Sequence, residues 1–282
     1  MIKDIKAVAA DIDGTLVEKG GMLPDVTRKA FDLLHENGVL LGLATGREIE
    51  TKLLNQWKSW NMDYPFDFLV GMNGGMIYDR FSNEVEAMEF MPEEDALAIM
   101  HHMMPLIEKY KISVNAEGGG NHYAMNIQGV LLESAKRHGF IFDDATGNPE
   151  LFCSKRLYKI LFRGEPEQDE EIRSHFLEKF GDKYQMVGTY MGTVEAIAKG
   201  INKGEGLRKV AKKMRIPMEN ILTCGDNEND NSMLLASGWS VCVCDGAEKT
   251  QKCAKDITEK PCVDGGIGLY LIDNYLKPNG LM

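Results

Sequence analysis

Four short stretches of this 282-residue chain carry residue types able to move a phosphoryl group. They are Asp11-Ile12-Asp13-Gly14-Thr15, Thr45-Gly46-Arg47, Lys203-Gly204-Glu205-Gly206-Leu207 and Gly225-Asp226-Asn227-Glu228-Asn229-Asp230. Asp11 and Asp13 stand two apart, so on a continuing strand their side chains point to the same side, and Gly14 frees the backbone to turn away. Such a pair suits a two-step transfer. One carboxylate attacks phosphorus and forms an aspartyl phosphate. The other protonates the leaving alcohol and then deprotonates the water that hydrolyses the intermediate. Thr45 and the N–H groups after it, at a helix start, can hold phosphate oxygens. A lysine is wanted to balance the charge shared by nucleophile and phosphate, and Lys203, opening a helix, is the best candidate. Four aspartates gathered in one site would raise carboxylate pKa values and cost stability. A magnesium ion, which prefers oxygen ligands and binds beside substrate phosphates, removes that conflict.

These residues can meet only if the elements before them deliver them to one edge. Ile5–Ala10 is a short apolar run ending at Asp11, and it reads as a buried parallel strand. A helical period from Asp25 to Asn37 places Val26, Ala30, Leu33 and Leu34 on one face, with Pro24 before it and Gly38 closing it. Val39–Ala44 is a second strand ending at Thr45, Glu48–Trp60 reads as helical, and Phe68-Leu69-Val70 is a third strand before Asn73-Gly74-Gly75. After residue 200 the alternation resumes. A helix over Lys203–Met214 is followed by a strand at Ile221–Cys224, which ends at Gly225-Asp226. A helix over Asn229–Ala236 and a strand at Ser240–Val243 come next. Strand–helix–strand alternation implies a parallel sheet, whose carboxyl edge lines the ligand crevice.

The middle of the chain follows another pattern. A helix from about Glu93 carries Leu97, Met100, Met104 and Ile107, with a kink expected at Pro105. Strands are expected at 112–116, 123–127 and 157–162, and helices at Val130–Arg137 and Glu167–Lys179. Tyr184–Tyr190 and Thr193–Ile197 read as a hairpin around Met191-Gly192. This is an α+β insertion over residues 82–190, flanked by a core made of 1–81 and 191–282.

Other chemistries fit less well. A calcium loop needs glycine at its sixth position and glutamate at its twelfth; counting from Asp11 these are Leu16 and Met22, and from Asp226 they are Asn231 and Ser237. His101 and His102 are adjacent on a helix and cannot share a face. The Asn121-His122-Tyr123 loop, after Gly118-Gly119-Gly120, reads as an ordinary turn with substrate contact as the rival. Glu165–Glu171 reads as a solvated helix face. The six cysteines form no C-x-x-C pair and read as buried, reduced thiols.

With the four stretches in this order, the chain closely resembles the haloacid-dehalogenase-like (HAD) hydrolases, and among them the Cof-type sugar phosphatases with a type IIB cap. D-x-D-G-T, T-G-R, K-G-x-x-L and G-D-x-x-N-D are all present, and the insertion between the second and third fits a large cap. The resemblance implies a Rossmann-like parallel-sheet core with an inserted α+β (C2B-type) cap domain. It also implies that Asp11 is the nucleophile and Asp13 the general acid/base. By the same resemblance Mg2+ takes the Asp11 carboxylate, the Asp13 carbonyl and Asp226. Thr45, Gly46, Arg47, Asn73 and Lys203 bind phosphate, and Asn229, Asp230 and Thr15 stand behind them, orienting metal waters or Lys203. Two departures, Gly75 and Gly206 where the group favours alanine, bear only on local packing.

The net charge of −11 argues against extended nucleic-acid binding. No apolar run approaches the roughly 18–20 residues of a membrane span, and the charged N-terminus does not read as a signal peptide. The reading is therefore a cytoplasmic, Mg2+-dependent phosphoric monoester hydrolase acting on a small phosphorylated metabolite, most simply a sugar phosphate. A phosphoryl-transfer mutase and a non-catalytic metabolite-binding regulator on the same fold are its rivals.

Overall fold

The computed structural model describes residues 2–118, 120–138, 141–190 and 192–282. By chain contacts it divides into two units, Met1–Ala87 with Ile201–Met282, and Met88–Gly200. In the first unit the strands in chain order are β1 (Ala7–Ala10), β2 (Leu40–Ala44), β3 (Phe68–Gly71), β4 (Met76–Asp79) and β5 (Glu84–Ala87). In the second they are β6 (Ser113–Glu117), β7 (Tyr123–Met125), β8 (Asp143–Asp144), β9 (Lys159–Arg163), β10 (Tyr184–Tyr190) and β11 (Thr193–Ala198). The first unit resumes with β12 (Ile221–Gly225), β13 (Trp239–Cys242) and β14 (Asp256–Ile257).

The first unit's sheet has the order β14-β13-β12-β1-β2-β3-β4-β5. It is parallel from β14 to β3 and antiparallel at β4 and β5. Every residue of β1 and β12 is buried, which is what strands covered on both faces require and why they read as unbroken apolar runs. The Asp25–Glu36 helix starts after Pro24 and ends as expected, with the Gly38 N–H returning to the His35 carbonyl at 2.9 Å.

Two expectations for this unit are corrected, and further elements appear that none covered. Glu48–Trp60 is not one helix but a wide turn at Ile49–Leu53 and a short helix at Gln56–Ser59. The β4–β5 hairpin and the segments beyond residue 243, including the Gly266–Leu271 helix, were not anticipated. The insertion's limits also lie later than 82 and 190. β5 pairs with β4 and keeps residues 84–87 in the first unit, while β10 and β11 carry the second unit's sheet past residue 190.

In the second unit the sheet order is β10-β11-β9-β6-β7-β8, antiparallel except for β7 with β8. One face packs on helices Glu93–Tyr110 and Asp169–Phe180, with Ile99, Met100, Met103, Ile172 and Phe176 against Val114, Ile160, Phe162 and Val194. The first helix runs through Pro105 uninterrupted, and its buried stripe includes Ile99 and Met103, leaving Leu97 and Met104 only partly buried. The expected hairpin turn includes Met191, and the glycine run before Asn121 includes Gly119; both lie outside the described residues. Parallel α/β core and α+β insertion together are the architecture of the chain. No described helix is long and apolar enough to cross a membrane.

Candidate active site

β1 is flanked by β2 on one side and β12 on the other, both parallel to it. The chain leaves β1 toward β2 and returns much later to β12, so the carboxyl ends of β1 and β12 open a crevice at a reversal of strand order. Register does the rest. Ala10 faces Cys224, and the Asp11 N–H donates to the Cys224 carbonyl at 3.0 Å. Asp11 and Asp226, 215 positions apart in sequence, therefore leave adjacent strand ends. Gly14 lets the loop after Asp11 pass close against Asp226: its φ is +94°, and a Cβ there would lie 2.5 Å from Asp226 Oδ2.

Lys203 is fully buried, and its Nζ donates to Asp11 Oδ1 and to Asp230 Oδ1, each at 2.6 Å. Asp230 is equally buried and accepts on its other oxygen from the N–H groups of Asp226 (2.9 Å) and Asn227 (3.0 Å). Thr15 Oγ1 donates to Asp226 Oδ1 at 2.7 Å. Carboxylate oxygens of Asp11, Asp226 and Asp230 all lie within 4.8 Å of one another. The electrostatics follow. Burial, outweighing Lys203 and reinforced by Asp230, pushes the Asp11 carboxyl up to about 7. Burial, with Asp230 and then Asp11 beside it, pushes Asp226 up to about 8. Burial alone would lower Lys203, but Asp11 and Asp230 outweigh it and hold its ammonium above the usual range.

Three carboxylates against one ammonium leave an excess of two negative charges when all are ionised, in a place with little water to screen it. An oxygen-only donor set with that excess fits a hard divalent cation. Asp230 has its oxygens engaged by Lys203 and two N–H groups, which suits it to hold Lys203 and the Asp226 loop. Asp11 and Asp226 are the carboxylates that remain to bind an ion.

The other expected residues are placed less uniformly. Arg47 grips Asp13, with Nη2 at 2.7 Å from Oδ1 and Nε at 3.0 Å from Oδ2, and Nη1 reaches Gln56 Oε1 at 3.3 Å. Arg47 is thus directed at the second aspartate, although the resemblance placed it on phosphate. Thr45 is buried, and its hydroxyl accepts from the Arg47 N–H at 3.4 Å; Gly46 lies between them in the loop after β2. Asn73 is buried, and its Oδ1 accepts from Asn229 Nδ2 at 3.1 Å. Of the supporting trio, Asp230 meets Lys203, Thr15 meets Asp226 and Asn229 meets Asn73.

Two supports escaped sequence reasoning. Asn202 caps the helix that begins at Lys203, its Oδ1 accepting from the Glu205 N–H at 2.9 Å, and Ser232 Oγ accepts from the Gly204 N–H at 3.0 Å. The first had a signal, since Asn followed three residues later by Glu is a helix-start pattern. The second, between segments far apart in sequence, had none. In the second unit, the His102 and His175 rings stack at 4.1 Å, each Nε2 on the other's carbonyl, and His101 pairs with Glu150. Asn121 bonds the Phe152 carbonyl and the Tyr123 N–H, as in an ordinary turn. All six cysteines are free; Cys153, Cys224, Cys242 and Cys262 are buried, but Cys244 is exposed and Cys253 half-buried, against the expectation.

Strand-end aspartates, buried lysine and inserted unit are the arrangement of one hydrolase class. Residues 8–271 match the model of the haloacid dehalogenase-like hydrolases, and the chain belongs to that family. It is 27% identical over 266 residues to the 5-amino-6-(5-phospho-D-ribitylamino)uracil phosphatase YcsE of Bacillus subtilis, spanning 93% of each. To the HMP-PP phosphatase of Klebsiella pneumoniae it is 25% identical over 233 residues, spanning 83% of this chain and 82% of the other. Its fold matches that of the HAD subclass IIB sugar phosphatase BT4131 with a TM-score of 0.78 at 21% identity, covering 98% of this chain and 100% of that one. By enzyme class it is a HAD-type phosphatase.

Proposed function

We propose that this enzyme hydrolyses small phosphorylated metabolites, sugar phosphates among them, with Mg2+ and through an aspartyl phosphate on Asp11. The observation that carries the reading is the Asp11 carboxylate held at 2.6 Å by a fully buried lysine, inside a cluster with excess negative charge. The relatives named above are phosphatases, one named for 5-amino-6-(5-phospho-D-ribitylamino)uracil and one for HMP-PP, which supports a small phosphorylated substrate.

In this reading Asp11 attacks phosphorus; its Oδ–P bond forms as the bond from phosphorus to the ester oxygen breaks. Asp13 gives its proton to the departing oxygen. Asp13 then takes a proton from the water that attacks the phosphoryl group, the P–O bond to Asp11 breaks, and inorganic phosphate leaves. Lys203 and Thr45 hold the phosphoryl oxygens, with Lys203 set in place by Asp230. Arg47, gripping Asp13, orients that carboxylate until the substrate arrives. The Asp11 and Asp226 carboxylates with the Asp13 carbonyl would hold Mg2+, which when bound supplies positive charge against both carboxylates and phosphate.

A panel of phosphate esters read by released inorganic phosphate, with Mg2+ and with EDTA, tests this. Phosphate release that requires Mg2+ is the expected result. An isomerised ester in place of phosphate would make the enzyme a mutase, and a flat panel would leave only a binding role.

A further inference from the structure

The connection from β3 to β4 holds three left-handed residues in succession. Met72, Asn73 and Gly74 have φ of 50°, 54° and 99°. Met72 and Asn73 are both buried, and side-chain-bearing residues rarely adopt this conformation, Asn being among the more tolerant. A two-residue type I′ turn closes antiparallel strands with positive φ at two positions, not three. What the connection touches accounts for its shape. The Met72 N–H donates to the Arg47 carbonyl at 2.9 Å, and the Asn73 N–H to the Thr45 carbonyl at 3.1 Å. Gly74 backs onto the start of the Lys203 helix, where a Cβ would lie 2.0 Å from the Asn202 carbonyl oxygen. Gly206 closes the same contact from the helix side, its own missing Cβ falling 2.7 Å from Gly74 Cα. Asn73 Oδ1 takes the N–H of Asn229 at 3.1 Å. One short turn therefore meets the Thr45 loop, the Lys203 helix and the Asp226–Asp230 loop.

We propose that Asn73 is a positioning residue of the phosphate site, acting by clamping the Asn229 amide from a turn that registers the Thr45 loop and the Lys203 helix. This rests on the phosphatase reading above, and it puts Asn73 behind Asn229 instead of on the phosphate. An amide flipped by 180° exchanges donor for acceptor. With one N–H committed to Asn73, the Asn229 carbonyl oxygen keeps a single orientation. Asparagine meets both demands of the position: it tolerates the left-handed backbone and it offers an acceptor. Glycine meets only the first, and aspartate meets both.

The test uses Asn73→Gly, Asn73→Asp, Asn229→Ala and the Asn73→Gly/Asn229→Ala double variant of the full chain. Glycine accepts a φ of 54° without strain, so the first variant removes the clamp and leaves the turn intact. On an ester the wild type hydrolyses, Asn73→Gly is expected to lower kcat about 10- to 100-fold with KM nearly unchanged. Asn73→Asp should restore most of that loss. The double variant should be no slower than Asn229→Ala alone, because both changes break one interaction. The Asn229 side-chain amide pair in a ¹⁵N correlation spectrum should collapse toward solvent-exposed shifts in Asn73→Gly. Wild-type kcat in Asn73→Gly, or a double variant that loses the product of the two single effects, overturns the proposal. If the wild type hydrolyses nothing, the phosphatase reading falls, and the Asn229 spectrum still decides for or against the clamp.

Discussion

Each unit of the chain buries a lysine between two carboxylates, and the two clusters differ in their charge balance. In the first unit Lys203 lies between Asp11 and Asp230 with Asp226 close by, and the carboxylates outnumber the cation. In the second, Lys159 is 1% exposed between Glu195 (2.8 Å) and Glu117 (3.1 Å), with Arg163 on the neighbouring Asn115. Two cations there meet two carboxylates. Lys159 is held above its ordinary range because the glutamates outweigh the effect of burial, whereas burial holds Arg163 below its own. A balanced buried cluster fixes strand register on a sheet face and asks for nothing further. An unbalanced one is relieved by protonation or by an added cation, and in the first unit the excess falls on the carboxylates aligned with the strand ends.

Asp11, the proposed nucleophile, gives the largest contrast. Asp11→Asn removes the attacking oxygen and also one of the surplus charges. Turnover should fall about 10⁴-fold or more, while the melting temperature in EDTA should equal or exceed that of the wild type. A variant that keeps turnover ends the assignment of Asp11, and one that melts far lower would mean the cluster is balanced after all.

The two lysines separate the clusters next. Lys159→Met leaves Glu117 and Glu195 facing each other and should destabilise the protein by about 3–5 kcal/mol, by the same amount in Mg2+ and in EDTA. Lys203→Met should also destabilise, but its loss should shrink in Mg2+, because an added cation replaces part of what the ammonium supplied. Urea unfolding of both variants in both buffers reads this directly. Equal responses to Mg2+ would erase the distinction between the clusters.

Metal linkage is a smaller effect on the wild type itself. Mg2+ at a hundred times its Kd should raise stability by about 2.7 kcal/mol, seen as a higher melting temperature. Asp226→Asn should lose most of that gain, and Glu195→Gln, in the other cluster, should keep it.

Much of the first cluster was legible because buried parallel strands read as apolar runs, and the polar residue that ends each run marks the carboxyl edge of the sheet. Asp11, Thr45 and Asp226 were found that way. Pairings across the crevice were not. Nothing in the spacing of Asp13 and Arg47, or of Asn73 and Asn229, says that they bond to each other, since that depends on which strands lie side by side. Exposed and glycine-rich segments were illegible for another reason. β5, Glu84-Val85-Glu86-Ala87, has little apolar signal because it is an exposed edge. Gly266–Leu271 has two glycines and weak helical propensity, and its helix is nonetheless buried by tertiary packing. In the second unit the patterns located the three longer helices to within a few residues and missed the short one at Pro149–Phe152. The buried stripe of Glu93–Tyr110 was only partly placed, because a helix with apolar residues on several faces leaves its orientation to the partner sheet.

The smallest prediction concerns a carboxylate of the second unit whose environment is the reverse of Asp11's. Asp95 accepts from the Tyr184 hydroxyl at 2.7 Å and from Lys183 Nζ at 3.1 Å. The Tyr184 hydrogen bond, helped by Lys183, holds its carboxyl below the ordinary 3.8. A folded-state pKa below the unfolded one contributes stability that is fully present above the unfolded value and is lost as pH falls through the folded one. Tyr184→Phe keeps the buried ring and deletes the donor. At neutral pH it should cost about 1 kcal/mol. That deficit should narrow once the pH drops below about 4 and close when Asp95 is protonated in both proteins. Urea midpoints for wild type and variant across that range measure the closing gap, and a deficit independent of pH would show that Tyr184 stabilises the helix–sheet contact by packing alone.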